Sequence, residues 1–144
     1  MNISSRTRYG IRLLVDLAEN RETSHVSLAS TAERKKISVR YLEQVAVILR
    51  RAGFIRSVKG ASGGYTLAKL PEEILIGDAL RALEGDMLVV DPLLRGKRET
   101  KLRNCIHTVL YESLNKRIAA VIDTKTLASL INKLDSGEAY MYFI

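Results

Sequence analysis

The chain has 144 residues, enough to bury one hydrophobic core, and 47% of them are hydrophobic, which excludes a disordered chain. A single cysteine excludes an intramolecular disulfide scaffold. The net charge of +7 is unevenly distributed, because residues 1–70 hold 13 of the 23 Lys and Arg residues but only 5 of the 16 Asp and Glu. This asymmetry favours binding to nucleic-acid phosphates, with a solvated charged face as the alternative.

No segment has the apolar length of a membrane span, and the N-terminus lacks the apolar core of a signal peptide. We therefore expect a cytoplasmic protein without a membrane partner. In chain order, the first predicted element is an amphipathic helix over residues 7–19. The residues on its core face are Tyr9, Leu13, Leu14, Leu17 and Ala18. Arg8 lies off that face, where it could meet a phosphate.

Two further helices are predicted in the N-terminal half. Ser27 is a plausible N-cap for a short helix over residues 28–34, and Ser38 is a plausible N-cap for a helix over residues 38–52. At 100° per residue the second helix has an apolar face, made of Leu42, Val45, Ala46, Ile48 and Leu49. Its opposite face is polar and holds Arg40, Glu43, Gln44, Val47 and Arg51. Gly53 is well placed to end this helix.

A β-hairpin is predicted directly after this helix. Its strands cover residues 54–58 and 65–67, and three glycines in the connection 59–64 are expected to supply positive φ values. A basic helix followed by a basic hairpin is the order of a winged helix-turn-helix, in which the helix enters a major groove and the hairpin meets a minor groove or the backbone. The predicted DNA-binding residues are Arg8, Ser38, Arg40, Tyr41, Glu43, Gln44, Arg51, Arg56 and Lys59.

The C-terminal half is predicted to contain a long helix that forms a dimer. Pro71 opens a helix that runs to about Leu83 and ends at Gly85, which divides the chain into a DNA-binding domain, 1–85, and a C-terminal region, 86–144. After a linker over residues 87–98, the longest periodic segment spans 101–122, and a short helix follows over 126–134. The apolar stripe of the long segment 101–122 consists of Leu102, Ile106, Val109, Leu110, Leu114 and Ile118. We expect this stripe to pack against a second copy of the chain, with packing on its own domain as the alternative.

Enzymatic readings have little support in the sequence. The two histidines, His25 and His107, have no metal-ligand spacing, and neither a phosphate-binding loop nor a nucleophile elbow is present. The glycine-rich segment 60–64 precedes a strand, whereas phosphate-binding loops precede a helix. We therefore expect neither a catalytic site nor a cofactor.

Three segments together resemble the Rrf2-type transcription regulators. They are ISSRTRYGIRLLVDLA at 3–18, ISVRYLEQVAVILRRAGFIRSVKGASGGYTL at 37–67 and IGDALRALEG at 76–85. The most specific parts are Tyr41-Leu42-Glu43-Gln44 and the later Gly63-Gly64-Tyr65. The resemblance implies a mainly α homodimer of winged helix-turn-helix subunits with a small hairpin wing and a long C-terminal dimerisation helix. It also implies binding to a dyad-symmetric double-stranded DNA operator, usually with repression.

The resemblance also bears on metal binding. Many members of the family carry three cysteines in the linker and at the start of the long helix, where they hold an iron–sulfur cluster. Here only Cys105 is present, at the position that resembles the third ligand, and Arg8 stands where some members use a carboxylate. A cluster needs about four ligands, so we predict a cluster-free regulator. Cys105 is expected to be a buried core thiol or, alternatively, a redox or metal-sensing residue.

The last seven residues, EAYMYFI, resemble the end of a cluster-free subgroup that represses cysteine metabolism in Gram-positive bacteria. In that subgroup the regulator forms a complex with cysteine synthase, which responds to O-acetylserine. The resemblance implies that Tyr142, Phe143 and Ile144 could bind this enzyme, while packing of the aromatic residues on the domain is the alternative. A module that chiefly controls cysteine synthase is a third reading of the function.

Overall fold

The computed structural model describes residues 2–92 and 100–137. Three helices come first: α1 (Ser5–Glu19), α2 (Leu28–Lys35) and α3 (Val39–Arg51). The strands β1 (Ile55–Val58) and β2 (Gly64–Leu67) follow, then a 3-10 turn (Pro71–Glu73) and α4 (Ile76–Glu84). The C-terminal helices are α5 (Lys101–Ile106), a π-helical turn (His107–Tyr111), α6 (Glu112–Ile122) and α7 (Leu127–Asp135). The predicted fold class, mainly α with a small hairpin wing and a long C-terminal helix, is confirmed.

One apolar core joins α1, α3 and α4, and the predicted inward faces supply it. Leu13, Leu14 and Leu17 of α1 and Leu42, Val45, Ala46 and Leu49 of α3 are almost completely buried, whereas Ile48 of the predicted apolar face is half-buried. Burial of side chains of this size stabilises the fold by roughly 1.5–3 kcal/mol each. Leu127 at the start of α7 belongs to the same core, so α7 packs on α1 and the 3-10 turn. The core of the first 85 residues thus also includes a residue of the C-terminal region. The division of the chain at Gly85 into two domains stays a prediction.

The hairpin forms where it was predicted, but its glycines serve two different purposes. β1 and β2 are antiparallel, in a register that runs from Ile55–Leu67 to Val58–Gly64. Of the three glycines, only Gly60 has a positive φ, +128°. Gly64 is needed for close approach instead, because a Cβ atom there would lie 2.2 Å from the carbonyl oxygen of Val26. This space lets Val26 pair with Tyr65, N to O at 2.9 Å and O to N at 2.8 Å.

The single helix predicted from Pro71 to Leu83 is wrong, because the chain is extended at Ile74 and Leu75. Pro71–Glu73 forms only a 3-10 turn, and α4 begins at Ile76. The backbone between them pairs with residues 125–127 at the start of α7: Leu127 N donates to Ile74 O and Ile76 N donates to Lys125 O, both at 2.8 Å. This tertiary pairing replaces helical hydrogen bonds that the local sequence would otherwise allow.

The long helix forms as predicted, with one irregular turn. α5, the π-helical turn and α6 follow one another without a break from Lys101 to Ile122. The end of the helix is attached to α4 by Arg81, whose guanidinium donates to both carboxylate oxygens of Asp123 at 2.7 and 2.9 Å. Asn115 in α6 binds the linker, accepting from Val89 N at 2.7 Å and donating to its carbonyl at 3.0 Å.

Among the described residues, no helix is both long and apolar enough to cross a membrane. The predicted tail contacts of Tyr142, Phe143 and Ile144 lie outside the described residues, as does part of the predicted linker.

Candidate nucleic-acid interface

The predicted polar face of α3 is exposed along the whole helix. Arg40, Glu43 and Gln44 in its first two turns are exposed, as are Val47 and Arg51 further along. The opposite face, Leu42, Val45, Ala46 and Leu49, has no accessible surface at all. The helix is therefore fixed from behind by the core and presents a narrow polar ridge of side chains. A ridge of this width on one helix fits a DNA major groove.

The start of α3 differs from the start of α2 in a way that leaves a hydroxyl available. At α2, the Ser27 hydroxyl accepts from Ser30 N at 3.1 Å and so caps the helix. Ser38 occupies the N-cap position of α3, but its side chain makes no capping hydrogen bond. Its exposed hydroxyl can therefore donate to a phosphate at the helix N-terminus, where the helix dipole also favours an anion.

Tyr41 is held in place by an aromatic contact with α1. Its ring meets the ring of Tyr9 edge to face, with centroids 5.1 Å apart, and it is half-buried. The guanidinium of Arg12 lies over the Tyr9 ring at 5.9 Å. The contact joins the predicted recognition helix to the helix that carries Arg8. Tyr41 therefore fixes α3 against α1, in addition to any contact with DNA.

Arg8 is presented by an α1 N-terminus that Glu84 fixes. The Glu84 carboxylate accepts from Ser4 N at 3.1 Å, from Ser4 Oγ at 2.7 Å and from the Thr7 hydroxyl. The hydrogen bond from Thr7, followed by those from Ser4, holds the pKa of Glu84 below its ordinary value. The Arg8 guanidinium is exposed and donates to Ser5 Oγ at 2.8 Å. The last residue of α4 therefore sets where this cation lies.

The wing carries two exposed cations. Arg56 projects from β1, and Lys59 lies at the tip directly after the last ladder pair, Val58–Gly64. Strand β2 is tied to the segment before α2 by the backbone pairing of Val26 with Tyr65. His25, the preceding residue, donates through Nε2 to the carbonyl oxygen of Ser62 in the wing loop. The wing is therefore attached to the segment before α2 at two points, through Tyr65 in β2 and through Ser62 in the loop.

The charge pattern separates two classes of cation. Arg34 and Arg81 are engaged in bidentate pairs with Asp16 and Asp123. Across residues 2–92 and 100–137, by contrast, no ion pair engages Arg40, Arg51 or Lys59, all of which are exposed. Cations without internal partners, arranged along one helix and one wing, are suited to phosphate contacts that release counterions.

The apolar stripe of the long helix is exposed in the isolated subunit. Leu102, Val109 and Leu110 are 70%, 68% and 49% exposed, and Ile106 and Leu114 are also exposed. Ile118 is half-buried. Cys105 is exposed as well, so the predicted burial of this thiol in the core of its own subunit is wrong. The reason is that the start of the long helix projects from the domain and packs on little of it.

Sequence reasoning missed the residues that position this surface. Glu84 fixes the α1 N-terminus, and with it Arg8, through a contact with Thr7 that lies 77 positions away in the chain. His25 fixes the wing loop through Ser62, which lies 37 positions away. No local pattern signals such pairs. Within the described residues, no three His, Cys, Asp or Glu side chains come together as a metal site.

Comparison with known proteins agrees with this architecture. The model of the Rrf2 family, described as an iron-dependent transcriptional regulator, matches residues 3–133. The chain is 36% identical to the HTH-type transcriptional regulator CymR of Bacillus subtilis, over the whole of both chains. It is 35% identical to the HTH-type transcriptional regulator IscR of Klebsiella pneumoniae, over 92% of this chain and 80% of that one.

Solved structures lead to the same conclusion. The structure of CymR, the global cysteine regulator of B. subtilis, superposes with a TM-score of 0.78 at 32% identity, covering 92% of this chain and 97% of that chain. IscR of T. potens superposes with a TM-score of 0.75 at 36% identity, covering 99% and 97%. The protein thus belongs to the Rrf2 family of helix-turn-helix transcriptional regulators.

Proposed function

We propose that the protein is a homodimeric repressor that reads a dyad-symmetric operator through α3 and holds the DNA backbone through Arg8 and the wing. The observation that carries this proposal is the exposed polar face of α3: Arg40 and Arg51 form no ion pair with any residue that the structure describes, while Leu42, Val45, Ala46 and Leu49 on the other face are completely buried. A rigid helix with unpaired polar side chains is suited to reading base edges.

Each residue of the surface has a proposed role that follows from its chemistry. Gln44 can form a paired hydrogen bond with adenine, and Arg40 can do so with guanine or bind a phosphate. Glu43 can accept from a cytosine amino group or repel phosphates at wrong sites. Val47, exposed within the polar face, suits a thymine methyl group. Arg51, Ser38 and Arg8 are assigned to phosphates.

Replacing Gln44 by Ala should weaken binding to the operator by about 1–3 kcal/mol, because a base contact is lost, and should leave non-specific binding unchanged. The operator is first obtained by footprinting the protein on its own genome, and both affinities are then measured at one salt concentration. Arg51→Ala is the matched comparison, since loss of a phosphate contact should weaken both. An equal fall in both affinities for Gln44→Ala would remove the base-reading role.

Replacing Lys59 by Ala should weaken binding to any duplex and reduce the slope of log affinity against log salt by about one unit, because one phosphate contact disappears. The measurement is a salt titration on operator and random duplexes. If Lys59 is merely solvated at the wing tip, affinity and slope should not change in Lys59→Ala. That result would contradict a phosphate contact by Lys59.

The exposed stripe of the long helix is proposed as the dimer interface. Five of its six apolar residues are exposed in the single subunit, and a row of exposed apolar side chains along one helix is typical of a protein–protein interface. A dimer places two α3 helices against two DNA half-sites, which is what a dyad-symmetric operator requires.

For the regulated genes we propose cysteine metabolism, without an iron–sulfur cluster. The support is the similarity to CymR over both full chains, together with the presence of only one cysteine in the sequence. A dimer would then bring two thiols, fewer than the roughly four ligands that a cluster needs. Anaerobically purified protein should lack the visible absorbance of a cluster and should bind its operator. A coloured protein whose DNA affinity changes on loss of the colour would contradict this assignment.

Control by cysteine synthase stays a prediction of the resemblance alone, since Tyr142, Phe143 and Ile144 lie outside the described residues.

A further inference from the structure

The wing loop, residues 59–63, is fastened to the body of the domain by a histidine. His25 lies on the segment before α2, and its Nε2 contacts the carbonyl oxygen of Ser62. Since a carbonyl oxygen only accepts, Nε2 carries the proton and donates it. The other ring nitrogen, Nδ1, lies 2.9 Å from the hydroxyl oxygen of Ser24, which holds the ring from the opposite side.

The geometry of the loop shows what this contact adds. The β1–β2 ladder ends at the pair Val58–Gly64, so residues 59–63 lie beyond it. Inside the loop, Gly63 N donates to Gly60 O at 3.0 Å and closes a turn. That bond shapes the loop but does not attach it to anything else. His25 makes the attachment, next to the residue whose backbone already pairs with β2.

The contact lies close to the proposed phosphate-binding cation. Lys59 is separated from Ser62 by the glycine at position 60 and by one alanine, and all of these residues are exposed. The wider surface on this side is a shallow cavity of about 460 Å³ between the α2 N-terminus and the loop, lined in part by His25, Ser27 and Ser62. A loop with solvent on this side and a glycine-rich sequence would sample many conformations without an anchor.

We infer that His25 is a positioning residue for DNA binding, because it fixes the wing loop in the conformation in which Lys59 meets the DNA backbone. The inference rests on the proposed role of Lys59. A loop that is already ordered in the unbound protein loses no further conformational freedom on binding, so its anchor raises affinity without touching DNA.

Five proteins test the inference: the wild type, His25→Ala, His25→Gln, Lys59→Ala and the double variant His25→Ala with Lys59→Ala. A Gln side chain places an amide N–H near the position of the histidine Nε2–H, so it can donate to the same carbonyl. On a random duplex of about 30 base pairs, we expect His25→Ala to bind about fivefold more weakly, since the loop must then be ordered on binding. His25→Gln should bind within about twofold of the wild type, and His25→Ala should have little further effect in the Lys59→Ala background.

Hydrogen exchange and thermal unfolding separate positioning from a general structural role. The amides of Ala61 to Gly63 should exchange faster in His25→Ala, while its unfolding temperature stays close to that of the wild type. Weaker binding by Lys59→Ala but not by His25→Ala would overturn the inference and leave the proposed wing contact intact. Unchanged binding by Lys59→Ala would overturn both. Additive losses in the double variant, or failure of Gln to restore binding, would also overturn it, because His25 would then act elsewhere.

Discussion

A protein carrying Val109→Glu or Leu110→Glu is expected to be a folded monomer that has lost high-affinity binding to its operator. Both side chains are well exposed in the single subunit and lie in the middle of the apolar stripe. In the proposed dimer they would be buried, and an unpaired carboxylate there should weaken association by about 3–5 kcal/mol. Operator binding should fall much further than non-specific binding, because a dimer gains from engaging two half-sites at once.

The measurements are sedimentation equilibrium, circular dichroism and operator titration on the same preparations. Asn104→Glu is the matched control: it adds the same charge to the same helix. Asn104 is exposed and lies two positions from both Leu102 and Ile106, so its side chain projects from the other side of α5. It should remain dimeric. A Val109→Glu protein that sediments as a dimer would show that the stripe is not the interface.

The sequence predicted the helices and hairpin well, because their periodicity follows from local burial. Most of the predicted core positions of α1 and α3 are buried, while Tyr9 and Ile48 are half-buried against the core, and Ser27 and Ser38 stand at the predicted N-caps of their helices. The exposed polar face of α3 could also be predicted, since it is the remainder of the same helix once the apolar face is assigned.

Apart from the exposure of Cys105, the misses share one physical cause, which is pairing between segments far apart in the chain. The helix predicted from Pro71 is interrupted because the backbones of Ile74 and Ile76 form hydrogen bonds with residues 125–127 at the start of α7. Gly64 is required by the approach of Val26 to the wing, and no turn rule for the hairpin alone contains that information. Glu84 and His25 were missed for the same reason, since their partners lie in other elements.

Asp16 is a further residue of this kind, and it holds the helix-turn-helix together. It lies within the apolar run of α1, and its side chain is completely buried. The carboxylate accepts from Arg34 Nε at 2.9 Å, from Arg34 Nη2 at 2.8 Å and from Thr31 Oγ1 at 2.6 Å. These bonds join α1 to α2, the helix that precedes α3. Burial alone would raise the pKa of Asp16, but the hydrogen bonds from Arg34 and Thr31 outweigh it and lower the pKa.

Replacing Asp16 by Asn should lower the free energy of unfolding at pH 7 by about 3 kcal/mol, because an amide cannot accept both bonds of the guanidinium and loses the charge attraction. The estimate lies at the lower end of the range for a broken buried pair, since the Arg34 side chain is 42% exposed and can turn to water. Glu19→Gln is the matched control. It removes the more exposed ion pair with Lys35, at 2.8 Å, and should cost less than about 1 kcal/mol.

The pH dependence distinguishes an ionised carboxylate from a merely well-packed side chain. Because the pKa of Asp16 is lower in the folded protein than in the unfolded chain, its contribution is complete above the unfolded value of about 3.9 and is lost as the pH falls through the folded pKa. Urea unfolding from pH 7 to about pH 2 should therefore show a constant difference between the wild type and Asp16→Asn down to about pH 4 and a smaller difference below that pH. A difference that stays constant across this range would mean that Asp16 stabilises the fold by shape rather than by charge.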